Sequence, residues 1–78
     1  MKVTIKYFGM ISETAGKSEE ILDLEAGVSV QDLKDLQVQK YKIADPEAVQ
    51  IAVNQDLNSN SELKEGDEVA FLPPFAGG

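Results

Sequence analysis

The chain is 78 residues long, a length that supports one domain with a small core. It contains no cysteine, which excludes disulfides, a thiolate nucleophile and cysteine-held metal sites. Its formal net charge of −7 disfavours binding to nucleic acid or to an anionic membrane and favours a protein partner with a basic surface.

The first third of the chain predicts a β-hairpin. Alternating apolar and polar residues indicate a first strand over residues 2–7. We expect a loop over residues 13–17, marked by Gly16, and a second strand over residues 18–24. The first strand starts without a preceding signal segment and no apolar run is long enough to span a bilayer, so the expected location is the cytoplasm.

A single helix is predicted in the middle of the chain, from Val30 to about Tyr41. Ser29 is placed to cap this helix, with Asp32 as its reciprocal partner in a capping box. The dipeptide at residues 45–46 contains a proline that prevents the helix from continuing. The apolar stripe expected to face a sheet consists of Val30, Leu33, Leu36 and Tyr41.

The second half of the chain predicts two more strands with a polar loop between them. The first covers residues 49–53 and is followed by a turn, after which Leu57 could begin a short return strand. Leu63 is expected to return to the core. The last strand covers residues 68–72 and should end at Pro73, because proline cannot donate a ladder hydrogen bond.

This order of elements, β-β-α-β-(β)-β, predicts an α+β fold of the ubiquitin-like β-grasp type. Its mixed sheet would have four or five strands, with one main helix packed on one face and the first and last strands adjacent at the centre. The folded body is expected to occupy residues 1–72. Residues 73–78 are expected to form an extended, flexible Gly-Gly tail, because glycine has no Cβ and termini are commonly poorly ordered.

The side chains do not predict a catalytic centre, a metal site or a phosphate-binding loop. The chain has no histidine or cysteine, and no pair of carboxylates is singled out by its spacing. The reactive group that remains is the α-carboxylate of Gly78. It becomes open to attack by sulfur or an amine if a partner enzyme adenylates it, and Gly77 and Gly78 would pass through the narrow channel with which such an enzyme excludes water.

Several segments carry a resemblance to a known family. These are residues 52–55 (AVNQ) with Leu57, residues 65–71 (EGDEVAF), residues 73–78 (PPFAGG) and the opening residues 3–9 (VTIKYFG). In this order and at this length, the chain resembles the small subunits of molybdopterin synthase, which are ubiquitin-like sulfur carriers. The resemblance covers essentially the whole chain.

The resemblance implies that the chain is not an enzyme on its own but the sulfur-donating subunit of a sulfurtransferase. An ATP-using enzyme of the ubiquitin-activating type would adenylate Gly78, and a sulfur donor would convert it to a thiocarboxylate. The large catalytic subunit of molybdopterin synthase would then transfer the sulfur to cyclic pyranopterin monophosphate, within a heterotetramer of two small and two large subunits. The chain itself would bind no cofactor, since the ATP belongs to the activating enzyme.

The resemblance also implies which residues meet these partners. The end of the tail, residues 76–78, would enter the partner's active site. Phe75 would serve as an aromatic anchor in a small interface. The partner-binding residues implied in this way are Phe8, Leu72, Pro73, Pro74 and Phe75, and those of the tail are Ala76, Gly77 and Gly78.

Other functions remain open at this stage. The same fold could carry sulfur for thiazole synthesis or for tRNA thiolation. It could also act as a protein modifier, with Gly78 forming isopeptide bonds to lysines, or as an interaction domain whose tail is inert.

Overall fold

The computed structural model describes residues 1–57 and 62–73, which form a four-stranded sheet with helices. The strands are β1 (Lys2–Tyr7), β2 (Glu19–Asp23), β3 (Gln50–Val53) and β4 (Glu68–Leu72). The helices are α1 (Met10–Ala15) and α2 (Val30–Tyr41), and a turn of 3-10 helix spans Pro46–Ala48. Within the described ranges, no helix has the length and apolar character needed to cross a membrane.

The sheet has the order β2-β1-β4-β3, which confirms the predicted β-grasp arrangement. The two central strands, β1 and β4, are parallel, with Tyr7 opposite Phe71. The edge strands pair antiparallel, β2 with β1 and β3 with β4. Because β1 and β4 are parallel, their carboxyl ends lie at the same edge of the sheet, and this edge is where β4 leads into residues 73–78.

The core lies between the sheet and α2. Alternate residues of the central strands point inward, as a period of two requires. The most deeply buried of them are Ile5, Val69 and Phe71, each with 0% of its surface exposed, and Leu33 of α2 is buried to the same degree. Leu63 is also buried and joins this core, which confirms the expectation for that residue.

Helix α1 covers residues 13–15 of the loop predicted over residues 13–17, so the prediction was wrong for those residues, whereas Gly16 lies in a turn as expected. Ile11 and Ala15 are both buried and stand four residues apart, on one face of the helix. Gly16 follows in the left-handed conformation and caps the carboxyl end. The glycine therefore marks the end of a helix, and a helix of six residues is too short for its apolar period to stand out in the sequence.

Helix α2 has the predicted bounds and the predicted capping box. The Asp32 backbone N–H donates to the Ser29 hydroxyl at 3.1 Å, and the Ser29 backbone N–H donates to the Asp32 carboxylate at 3.1 Å. The predicted apolar stripe was wrong at Leu36, which is 50% exposed. Gln37, fully buried, takes the place facing the sheet because it lies four residues after Leu33.

Gln37 is accommodated in the core because it belongs to a hydrogen-bonded network. Its amide Nε2 donates to the Tyr7 hydroxyl at 2.6 Å and, at 3.3 Å, to the Glu20 carboxylate. The hydroxyl groups of Tyr7 and Tyr41 each donate to Glu20 Oε2 at 2.6 Å. The network thus ties β1, β2 and α2 together. Among the buried side-chain polar atoms of the described residues, the Gln37 amide oxygen Oε1 has no partner.

The turn after β3 differs in part from the prediction. Asn54 and Gln55 both have positive φ, which closes a tight turn, and Val53 forms an isolated bridge with Asp56. Within residues 1–57 and 62–73, no strand begins at Leu57. The polar loop predicted between Leu57 and Leu63 lies mostly outside the described residues.

Candidate functional site

The sheet carries an apolar surface on the side opposite α2, which we call the docking face. It forms a shallow cavity of about 350 Å³ that spans β4 and β3 and reaches Phe8, which directly follows β1. Its apolar lining residues are Phe8, Ala52, Leu57, Ala70 and Leu72.

The docking face follows from the alternation of β4. Val69 and Phe71 point into the core, so Ala70 and Leu72 point to the other side of the sheet. Two larger apolar side chains flank this strand, with Phe8 45% exposed and Leu57 54% exposed. Large apolar side chains exposed next to one another are typical of a surface that binds a protein partner.

Polar side chains border the docking face. Gln55 and Glu68 line its cavity together with the apolar residues. The Glu68 carboxylate lies 3.4 Å from the Lys6 ammonium, and both side chains are partly exposed. An exposed pair of this kind adds little to stability. The pair lies at the border of the docking face, where protein interfaces commonly have a polar rim around an apolar centre.

The chain leaves the folded body at Pro73, at the edge of the docking face. We call Pro73 and its contact with Gly9 the tail root. The backbone N–H of Phe8 donates to the Phe71 carbonyl at 3.2 Å, so β1 and β4 stay joined up to this edge. Pro73 then packs against Gly9, which has a positive φ of 57°. A Cβ at Gly9 would lie only 3.0 Å from Pro73 Cγ, so the absence of a side chain permits this close approach.

The structure brings together three of the residues predicted to meet partners. Phe8 and Leu72 lie on the docking face, and Pro73 forms the tail root. The remaining predicted site residues lie outside the described part of the chain and their roles stay predictions. They are Pro74, Phe75, Ala76, Gly77 and Gly78.

Three docking-face residues were not assigned to a site from the sequence. Ala70 could have been found from its outward position between two buried neighbours in β4. Ala52 is opposite Ala70 in β3, so its role depends on the pairing of two strands distant in sequence. Leu57 could have been noticed as a large apolar residue in a polar turn, but its neighbours on the docking face come only from the fold.

The functional feature that the described side chains form is a surface for binding a protein. Among residues 1–57 and 62–73, no group of three or more acidic side chains is arranged to hold a metal ion. The docking face has the size and apolar character for a protein contact, and it lies directly beside the tail root.

Comparisons with known proteins agree with this geometry. The chain matches the ThiS family over residues 5–78. It is 40% identical to the molybdopterin synthase sulfur carrier subunit of Mycobacterium tuberculosis, over the whole of this chain and 99% of that protein.

Solved structures give the same result. A Pyrococcus furiosus protein described as molybdopterin converting factor subunit 1 is 34% identical, with a TM-score of 0.82 over 96% of this chain and 99% of that one. A chain in the complex of subunits 1 and 2 of the molybdopterin-converting factor from Helicobacter pylori is 26% identical. Its TM-score is 0.71, and both chains are covered completely.

Proposed function

The chain belongs to the ThiS family, and on that premise we propose that it is the sulfur carrier subunit of a molybdopterin synthase. The observation that carries the proposal is the position of the docking face, which ends at the tail root. A partner bound to this face would receive the last residues of the chain directly. The relative in Mycobacterium tuberculosis, which is a molybdopterin synthase sulfur carrier subunit and matches over 99% of its length, supports the proposal.

The proposed chemistry takes place at the end of the main chain. An activating enzyme of the ubiquitin-activating type joins a carboxylate oxygen of Gly78 to the α-phosphate of ATP and releases pyrophosphate. A sulfur donor then attacks the acyl carbon, and AMP leaves with the oxygen, so that Gly78 ends in a thiocarboxylate. The folded body presents this group and supplies no catalytic side chain.

The proposed receiving partner is the large catalytic subunit, which uses the sulfur to convert cyclic pyranopterin monophosphate to molybdopterin. The related Helicobacter pylori structure is a complex of subunits 1 and 2, which supports a partner of this kind. We propose that the apolar centre of the docking face contacts the large subunit. The net charge of −7 favours a basic surface on either partner.

Intact-mass analysis tests the proposal. The purified chain is incubated with the activating enzyme, ATP and sulfide, and we expect a mass increase equal to the replacement of one oxygen by one sulfur. Fragmentation should place the change at Gly78. A reaction without ATP is the control and should leave the mass unchanged.

The alternatives predict different products. A protein modifier would give covalent conjugates of this chain to lysines, which the same mass analysis detects. A carrier for thiazole synthesis or tRNA thiolation would form the thiocarboxylate but fail to produce molybdopterin with the large subunit and its pterin substrate. Either result would count against the proposed function.

A further inference from the structure

A second cavity lies at the tail root, apart from the docking face, and we call it the root pocket. Its volume is about 240 Å³, and its lining is almost entirely apolar. Residues of α1, of the segment after α2, and Val49 before β3 contribute to it, and Pro73 forms part of its wall. The lining residues are Met10, Ile11, Thr14, Ile43, Ala44, Asp45, Val49 and Pro73.

We propose that the root pocket holds the aromatic ring of Phe75 when the chain is free of its partners. An apolar cavity of roughly 150 Å³ is large enough to bind benzene. The root pocket is larger, at about 240 Å³, and so has room for a phenyl ring. Phe75 is the one large apolar residue after Pro73.

The position of Pro73 places Phe75 within reach of the pocket. Pro73 is part of the pocket wall, and Phe75 is only two residues further along. Two extended residues span roughly 7 Å, and a phenylalanine side chain adds to that reach. Contact with Gly9 holds Pro73 in place, so the chain begins its exit at the rim of the pocket.

The place where β4 ends supports the proposal. Phe71 faces the core, and Pro73, two residues later, lines the pocket on the helix side of the sheet. The tail therefore starts on the side of the sheet where the pocket lies. A short tether also gives the ring an effective concentration in the millimolar range near the pocket. Weak apolar contact is therefore sufficient to populate the bound state.

This arrangement leaves the chemistry of the tail accessible. Three residues follow Phe75 and could extend roughly 10 Å beyond it, so Gly78 remains available to an activating enzyme. A partner that uses Phe75 as an anchor must first withdraw it, and its apparent affinity falls with the fraction of released tail. The inference concerns the free chain and does not depend on the proposed sulfur transfer.

Methyl NMR of the free chain tests the proposal. The ring of Phe75 should produce NOEs to the methyl groups of Met10 and Ile43, and Phe75→Ala should remove these NOEs and shift the methyl resonances of the pocket. Phe8→Ala removes a ring from the docking face and is the matched control, which should leave the pocket resonances unchanged. NOEs from Phe75 to Leu57 on the docking face, or no NOEs to either surface, would overturn the proposal.

A fluorescence experiment provides a second measurement. The chain contains two tyrosines and no tryptophan, so Phe75→Trp introduces a single indole, which can be excited apart from the tyrosines. Its emission should be blue-shifted, and acrylamide should quench it only weakly. Adding Met10→Asp places a charge at the rim of the pocket and should shift the emission to the red. Met10 is 75% exposed, and an acid suits the first turn of a helix, so this variant should fold. Emission typical of an exposed indole in both variants would contradict the inference.

Discussion

The Glu20 carboxylate joins three elements of the core through a few hydrogen bonds. It accepts from the hydroxyl groups of Tyr7 and Tyr41, and the ammonium groups of Lys17 and Lys40 lie within 4 Å, at 3.6 and 3.9 Å. Burial raises its pKa, but the hydrogen bonds and the positive charges outweigh this effect, so the pKa lies below its ordinary value of 4.5. The carboxylate therefore stabilises the fold in its ionised form.

Stability should consequently fall in acid through Glu20. A carboxyl group with a lowered folded pKa contributes stability above its unfolded pKa, near 4.5, and this contribution is lost as the pH falls through the folded value. Glu20→Gln should lower the free energy of unfolding by about 1.5–3 kcal/mol at pH 7, the range for hydrogen bonds to charged groups. Urea unfolding at a series of pH values measures both effects.

The matched control for Glu20 is its neighbour on the same strand. Glu19 is exposed, so Glu19→Gln should change stability by less than about 0.5 kcal/mol. The difference between the wild type and Glu20→Gln should shrink below pH 4.5. A difference that stays constant down to the lowest pH would show that the charge of Glu20 does not stabilise the fold.

Gly9 is important for stability because its backbone conformation and its contact with Pro73 both disfavour a side chain at this position. Its φ of 57° and ψ of −134° form a combination that is open almost only to glycine. Gly9→Ala should therefore lower the free energy of unfolding by about 1–3 kcal/mol, through backbone strain and the clash with Pro73. Chemical denaturation measures this loss.

Gly16 provides the control for Gly9. It has a positive φ of 77°, but an added Cβ would meet no atom within 4 Å. Gly16→Ala should therefore cost about 1 kcal/mol from strain alone. Equal losses in the two variants would indicate that the contact with Pro73 contributes nothing.

At the scale of elements, both central strands contribute to the core, and β4 also presents the docking face. The inward residues of both strands belong to the core, and the outward residues Ala70 and Leu72 of β4 form part of the apolar surface next to the tail root. Helix α1 lies directly after β1, and its first residues line the root pocket on the other side of the tail root. The point where the chain leaves the body is therefore flanked by two apolar surfaces.

Phe8→Ala should weaken association with the large subunit by about 1–3 kcal/mol, because an aromatic side chain at an interface centre is a common hot spot. Phe8 is 45% exposed, so stability should change little. Leu36→Ala is the control, since Leu36 is similarly exposed but lies on α2, away from the docking face. Titration calorimetry measures the dissociation constants of both variants. Equal values would show that Phe8 does not contribute to the interface.

At the scale of the whole molecule, the core and the proposed reactive group are separate. The buried apolar residues of residues 1–57 and 62–73 extend along the chain as far as Phe71, seven residues before Gly78. The body can therefore be stable whether or not the end of the chain is modified. A carrier that visits two enzymes in turn needs this independence.

Deletion of Gly78 should leave the free energy of unfolding unchanged within about 0.5 kcal/mol, because the described core ends before it. Sulfur delivery should be abolished, since the chain would end in a different position relative to the activating enzyme. Molybdopterin formation in a reconstituted assay measures this loss. Ala76→Gly keeps the chain length and should remain active, whereas activity of the shortened chain would refute the proposed role of Gly78.

The sequence by itself determined the elements that depend on local patterns. The strand β1, the bounds of α2 and the Ser29 cap could be predicted because the apolar period and the capping residues are close together in the chain. The central position of β1 and β4 also followed, since few topologies connect these elements with a right-handed crossover. The resemblance carried by four segments along the whole chain, the tail among them, pointed to the function.

Only the tertiary structure decided which side chains meet across distant segments. Gln37 of α2 takes the core position predicted for Leu36 because Tyr7 of β1 and Glu20 of β2 accept hydrogen bonds from its amide. The docking face unites Phe8, Leu57 and Leu72, and the root pocket unites α1 with Pro73, through strand pairing over more than fifty residues. Local periodicity carries no information about such contacts, because they depend on how the elements pack.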